Sequence, residues 1–388
     1  MVMIKRVSAK AIKDCRGEKT ISVTIETNVG KFSASSPSGT STGKNEAKIY
    51  RKTLEEDIKT LKKFEDYFSE EIIETFDDLR RIEDIVDKHV GANTLLALEY
   101  TVLKSLAKKN KKEIWELINF SAKKFPRLVG NSVGGGGHSR VDKKPDFQEF
   151  LLIPNLKSVK ENFEKNKKIK KEIEFSLKDK DKNFKSKKNY ENAWITSLNE
   201  KEILDILKNF KINLGVDIAA SGFFKRKNYL YQNPMLKRTA EEQFNYLCNL
   251  IENFNIFYIE DPFGEEDFDS FAKLLKKFPD RLIVGDDLIV TNVKRLKKAI
   301  EKKSVNAIIV KPNQCGSLLE VRDVCKLAKE NNIKIVFSHR SGETEENILA
   351  DIAFGFGADF FKCGINGKER EAKLKRLIEI EESLDSKS

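Results

Sequence analysis

The second half of the chain repeats one pattern, a short apolar run that stops at a charged or polar residue. Leu214-Gly215-Val216 stops at Asp217, Phe257-Tyr258-Ile259 at Glu260, and Leu282-Ile283-Val284-Gly285 at Asp286. Ala307-Ile308-Ile309-Val310 stops at Lys311, Ile335-Val336-Phe337-Ser338 at His339, and Phe360-Phe361 at Lys362. Apolar runs without alternation suit strands buried on both faces, as in a parallel sheet flanked by helices. The polar ends lie 43, 26, 25, 28 and 23 residues apart, room in each case for a strand, a helix and two short loops. The pattern predicts stacked parallel βα units and hence an eight-stranded βα barrel of the α/β class. Its C-terminal strand ends share one mouth, where three acids, two lysines and a histidine would converge.

The first part of the chain reads differently. Thr20 to Glu26 alternates apolar and polar positions, and Gly30-Lys31-Phe32-Ser33-Ala34 follows a turn, so residues from about Met3 to Ser35 are expected to form a strand meander. Leu54, Ile58, Leu61, Phe64 and Phe68 recur at helical spacing, and Gly91-Ala92-Asn93 opens a further helical run. The expected division is an α+β N-terminal domain over residues 1–125 and a TIM-barrel-like domain over residues 126–388. Ser36 to Lys44 is a small-residue loop that imitates a P-loop. Its glycine spacing is one residue short, and Asn45 stands where a magnesium-binding hydroxyl belongs. A lid over the barrel mouth suits it better. Four glycines, Gly134 to Gly137, let backbone pass close to a ligand or another loop, and His138 follows them as a candidate site residue. Gln148-Glu149-Phe150-Leu151-Leu152-Ile153 reads as a strand that begins, rather than ends, in an acid.

Composition narrows the function classes. The net charge of +11 invites a polyanion partner. Residues 156–190, however, hold 13 lysines, 6 acids and no arginine, so this one segment carries most of the surplus. Lysines alternating with acids, with few aromatics to stack on bases, favour a solvated amphipathic helix over a specific nucleic-acid site. The five cysteines lack paired metal spacing, which suits reduced thiols in a cytoplasmic protein. Apolar runs are too short for a bilayer span, and the N-terminus lacks a signal-peptide core, so no membrane is expected as a partner.

Asp217, Glu260 and Asp286 offer hard oxygen ligands without histidine or thiolate, which favours Mg²⁺. Three carboxylates in one mouth repel each other by about 4 kcal/mol per pair at 4 Å and an effective dielectric of about 20; a cation resolves that conflict. Lys311 is the candidate base, on the expectation that the metal's charge and burial lower its pKa. His339-Arg340-Ser341 is expected where a strand gives way to a helix, with guanidinium, hydroxyl and helix N–H groups to hold a phosphate.

The segments DCRGEKT, SGTSTGKNEA, GANTLLALE, PDFQEFLLIP, GVDIAAS, YIEDPF, VGDDLIVTN, IIVKPNQCGS and SHRSGETEEN, with the tail from Phe360, run nearly the whole length of the chain. Through them the chain resembles the enolases (phosphopyruvate hydratases), archaeal members above all. The resemblance implies an enolase-type βα barrel, two Mg²⁺ ions, and reversible dehydration of 2-phosphoglycerate to phosphoenolpyruvate in glycolysis or gluconeogenesis. It assigns Asp217, Glu260 and Asp286 to the tighter metal and Ser41 to the second. Lys311 matches the base at C2, Lys362 the lysine on the substrate carboxylate, and Arg340 and Ser341 the phosphate ligands, with His339 beside them. His138 and Glu149 match further site residues, and a homodimer or higher oligomer is implied.

The departures fall on one side. The family's Asp-Glu-Gly acid loop reads Tyr190-Glu191-Asn192 here, placing Glu191 as the acid, with asparagine as the least costly replacement for a glycine of positive φ. Ala-Ala-Ser-Glu-Phe reads Ala219-Ala220-Ser221-Gly222-Phe223, and Asp-Ser-Arg reads Asp14-Cys15-Arg16. Two other readings stand beside the first: an enolase-like paralogue acting on a related phosphorylated hydroxy acid, and a non-catalytic protein whose lysine-rich segment binds polyanions.

Overall fold

A computed structural model describes residues 1–39, 43–69 and 71–386. Its N-terminal part is an antiparallel sheet of Val2–Lys13, Lys19–Thr27 and Gly30–Ser35, extended by Ile72–Ile73 at the edge of the first strand. Ile21, Val23 and Ile25 are fully buried on this sheet, as the alternation requires. Helix Ala92–Asn110 packs across it and presents Leu96, Leu103 and Leu106 to the core.

Eight strands close a barrel in the order Arg127–Gly134, Glu149–Ile153, Asn213–Asp217, Ile256–Glu260, Leu282–Gly285, Ala307–Val310, Lys334–Ser338 and Phe360–Gly364, the last pairing with the first. Seven run parallel, as expected. Glu149–Ile153 is antiparallel to both neighbours, which corrects the all-parallel expectation. The reason is its connection. Between Gly134 and Glu149 there is only a short 3₁₀ turn at Gly136–His138, and a parallel return needs a crossover, usually a helix. The reversal puts the start of this strand at the mouth, opposite Asp217.

The unbroken apolar runs are explained by two-sided burial. Ala307 and Ile309 join Tyr258, Val284, Val336 and Phe360 in one apolar cluster, while Ile308 and Val310 join the larger one shared with the outer helices. Each such fully buried aliphatic side chain contributes about 1.5–3 kcal/mol. The lysine-rich segment forms helix Val159–Lys180, capped by Ser158 and Glu161. Most of its lysines are solvated; Lys170, 2% exposed, is not. No helix among the described residues is long and apolar enough to cross a membrane.

Candidate active site

The strand pleat carries the sequence pattern into the mouth. Side chains alternate along a strand, so Lys311 continues the inward row of Ala307 and Ile309, and Glu260 that of Tyr258. Asp286 follows Leu282 and Val284 in the same way, and Lys362 follows Phe360. On the reversed strand Glu149 shares the parity of Leu151 and Ile153. Asp217, Glu149, Glu191, His138, Lys311, His339, Arg340, Ser341 and Lys362 all line one cleft. Ser41 lies outside the described residues.

On one side of the cleft, lysines and carboxylates interlock. Lys362 Nζ stands 2.9 Å from Asp217, 2.8 Å from Glu260 and 2.9 Å from Glu149. Lys311 pairs with Asp286. Burial, together with the charges of Asp217 and Asp286, pushes the Glu260 carboxyl well above the usual range in spite of Lys362. For Lys311 the expected lowering is not found. Burial, Arg340 and Lys362 all disfavour its ammonium form, yet the surrounding carboxylates, Asp286 first and Glu260 with it, hold the pKa above the ordinary lysine value.

Asp217, Glu260 and Asp286 are oxygen donors that are buried and mutually repelling. Gln148 Nε2, 3.3 Å from Asp217, and Gln314 Nε2, 3.0 Å from Asp286, orient two of them from behind. Asp286 has carboxylate oxygens within 4.8 Å of it from Asp261 and Asp287, whereas Lys362 sits against Asp217 and Glu260. The donor set fits a hard divalent cation.

On the other side, Glu191 is 1% exposed. Its Oε2 lies 3.5 Å from His138 Nδ1 and 3.9 Å from His339 Nε2, and it accepts a hydrogen bond of 3.1 Å from Asn131. His138 Nδ1 is also 3.4 Å from Glu149. Burial raises the Glu191 pKa, but the His138 and Arg370 charges and the hydrogen bond from Asn131 bring it below the usual glutamate value. Burial works against His138 too, yet Glu191 and Glu149 hold it above the ordinary histidine value. His339 goes the opposite way, pushed well down by burial and by Arg370. The residue expected as the acid thus has its pKa lowered, while that of the adjoining His138 is raised.

The loop carrying Glu191 is a tight turn. Asn189 Oδ1 accepts from the N–H groups of Glu191 and Ala193 at 3.0 and 2.9 Å, and Asn192 adopts φ 62°, as its place in the acid loop requires. At the His339–Arg340–Ser341 end, Arg340 pairs with Glu46 at 3.1 Å and Arg16 donates to Ser341 Oγ at 3.4 Å. The helix expected beside Ser341 begins only at Ile348. The chain instead pairs Gly342 with Ser38 through two backbone hydrogen bonds of 2.8 and 2.9 Å, so no helix N-terminus adjoins the serine.

Sequence reasoning missed four residues that touch the site: Asn131, Gln148, Glu46 and Arg16. Asn131 was accessible, since it continues the inward parity of Val129. Glu46 and Arg16 arrive from the N-terminal part, and no periodicity announces them.

The family model described as the enolase N-terminal domain matches residues 4–118, and that of the enolase C-terminal TIM barrel domain matches residues 123–388. The enolase of Methanosphaera stadtmanae is 35% identical over 406 residues, covering 98% of this chain and 97% of the relative. That of Pyrobaculum aerophilum is 35% identical, covering 94% and 93%, and that of Thermoplasma acidophilum 33%, covering 99% of each. With both domain models matched in order and relatives aligned over nearly their whole length, the chain belongs to the enolase family of lyases.

Proposed function

We propose that this enzyme catalyses the reversible, Mg²⁺-dependent dehydration of 2-phosphoglycerate to phosphoenolpyruvate. The observation that carries the reading is that Lys311 with its carboxylates and the His138–Glu149–Glu191 cluster line the same cleft, joined through the Lys362–Glu149 contact. Dehydration across C2–C3 needs a base on one carbon and a proton donor at the hydroxyl of the other.

In this assignment Lys311 Nζ takes the C2 proton. The electron pair moves onto the substrate carboxylate, whose growing charge faces Lys362. A second electron shift forms the C2–C3 double bond as the C3–O bond breaks. The proton for the departing hydroxyl comes from the His138–Glu149–Glu191 cluster, and water leaves. Arg340 and Ser341 hold the phosphate, with Arg16 orienting the serine, and Glu46 holds the guanidinium until substrate arrives. Asp217, Glu260, Asp286 and the lid residue Ser41 would hold two Mg²⁺ ions, which supply positive charge beside the substrate carboxylate. A cation held by Asp286 would draw that carboxylate away from Lys311 and so would lower the lysine's pKa.

The test is the growth of ultraviolet absorbance from the enol product when 2-phosphoglycerate and Mg²⁺ are added. It is expected to stop with chelator and to be absent in Lys311→Ala; a flat trace from folded wild type with metal refutes the reading.

One observation favours a second reading, turnover of a bulkier phosphorylated hydroxy acid. A bay of about 580 Å³ lined by Lys44, Lys144, Lys225, Gly222 and Gln148 adjoins His138, and nothing lies within 4 Å of a Cβ placed on Gly222. A higher kcat/KM for such a substrate than for 2-phosphoglycerate would establish it.

A further inference from the structure

Lys170 is the one residue of the lysine-rich helix whose ammonium is led inward to the acid loop. Its Nζ donates to the backbone carbonyl of Asn192 and, at 3.0 Å, to Asn366 Oδ1. Its own carbonyl accepts from Trp194 Nε1 at 2.9 Å. Through its side chain and its carbonyl, this one residue thus ties the helix Val159–Lys180 to the segment that follows Glu191 and to the loop that follows the Lys362 strand. A buried lysine is costly unless its donors are used. Burial and the nearby Lys188 push its pKa down to about 7, with Glu371 opposing. Both acceptors are uncharged, so the contact survives whether the amine is protonated or neutral.

The surroundings show why a long donor belongs there. Asn192 stands in the left-handed region in place of the family's glycine, and its side chain fills the space over Gly367, where a Cβ would come within 2.4 Å of Asn192 Nδ2. Gly364 is equally close to the next link, a Cβ there reaching 2.8 Å from the Glu191 carbonyl. The turn is therefore pressed against bare backbone on one side and held by Lys170 on the other. An apolar residue at 170 would fill the volume and leave the Asn192 carbonyl without this donor.

We infer that Lys170 is a positioning residue for the proton-donating side of the reaction: through the Asn192 carbonyl it sets the Glu191 carboxyl against the departing hydroxyl. The inference rests on the dehydration reading above. It predicts a loss confined to one of two separable steps. Exchange of the C2 proton of 2-phosphoglycerate with solvent needs Lys311 and the charges that stabilise the carbanion but no donor at C3, whereas loss of the C3 hydroxyl needs the Glu191 cluster as well.

Both rates are measured on the full chain with Mg²⁺ in heavy water, for wild type, Lys170→Met, Lys170→Gln and Glu191→Gln, with the exposed Lys168→Met as control. Their ratio is independent of the fraction folded. Lys170→Met is expected to slow dehydration about 10- to 100-fold relative to exchange, and Lys170→Gln, which keeps a shorter donor, less. Adding Lys170→Met to Glu191→Gln is expected to change the ratio little further, because both act on one group. Lys168→Met is expected to match wild type. Equal slowing of both rates, or none, overturns the inference while leaving the function intact. A wild type inert towards 2-phosphoglycerate overturns the functional reading, and this inference with it.

Discussion

The two halves of the cleft are built in different ways. The lysine–metal half stands on strand ends: Asp217, Glu260, Asp286, Lys311 and Lys362 are the next inward residues of packed barrel strands. Their positions follow from the pleat, and the buried apolar rows beneath fix them. The acid half stands on loops. His138 comes from a glycine-rich segment and Glu191 from the turn that Asn189 closes onto Ala193; that turn leans on Asn131 and Gly364 of the barrel strands and on Lys170 and Gly367 beyond them. Strand-borne chemistry tolerates little sequence change because each residue is set by register. Loop-borne chemistry can change its residues provided the supports change with it, and that is where this chain departs from its family.

The comparison breaks most severely at Lys311. Lys311→Ala removes the base, so both C2 exchange and dehydration are expected to fall by at least about 10³-fold, read by proton NMR and absorbance in one sample. Should exchange survive, the base lies elsewhere. Glu191→Gln is expected to lower dehydration by about 10²- to 10⁴-fold and leave exchange within a few-fold; equal loss of both would merge the two halves into one unit.

Smaller changes sharpen the role of the supports. Gly367→Ala places a methyl against Asn192 Nδ2 at a residue with φ +103°, and is expected to destabilise by about 1–3 kcal/mol and to slow dehydration more than exchange. Urea unfolding and the two rates check it. The smallest effect is on pH dependence. Lys170 titrates near 7 in the folded protein and near about 10.4 when unfolded. Between those values the unfolded chain binds the extra proton, so stability rises with pH through the window, by at most about 1.4 kcal/mol per unit. Wild type should therefore gain stability relative to Lys170→Met from pH 7 to pH 10. A pH-independent difference would mean that Lys170 is not buried in its low-pKa environment.

The same contrast explains what could be read in the sequence. Strand ends spaced by 43, 26, 25, 28 and 23 residues placed Asp217, Glu260, Asp286 and both lysines at one mouth, because a βα unit has a fixed minimum length. The reversed strand escaped that logic: its run Phe150 to Ile153 is apolar in either direction, and only the acid at its start hinted at reversal. Lys170 was hidden among lysines that differ from it only in helical phase. Glu46 reaches Arg340 over a sequence separation of 294 residues, which no local pattern encodes. The direction of the Lys311 shift also depended on geometry, since only the fold brings the Asp286 and Glu260 carboxylates beside its ammonium.

One measurement tests the division of labour most directly: wild type, Lys311→Ala and Glu191→Gln are each given 2-phosphoglycerate and Mg²⁺ in heavy water, and the C2–H signal and enol product are followed together. The expected result is exchange with product in wild type, neither in Lys311→Ala, and exchange without product in Glu191→Gln. Product formation by Glu191→Gln at the wild-type rate, or no product from wild type, would contradict it.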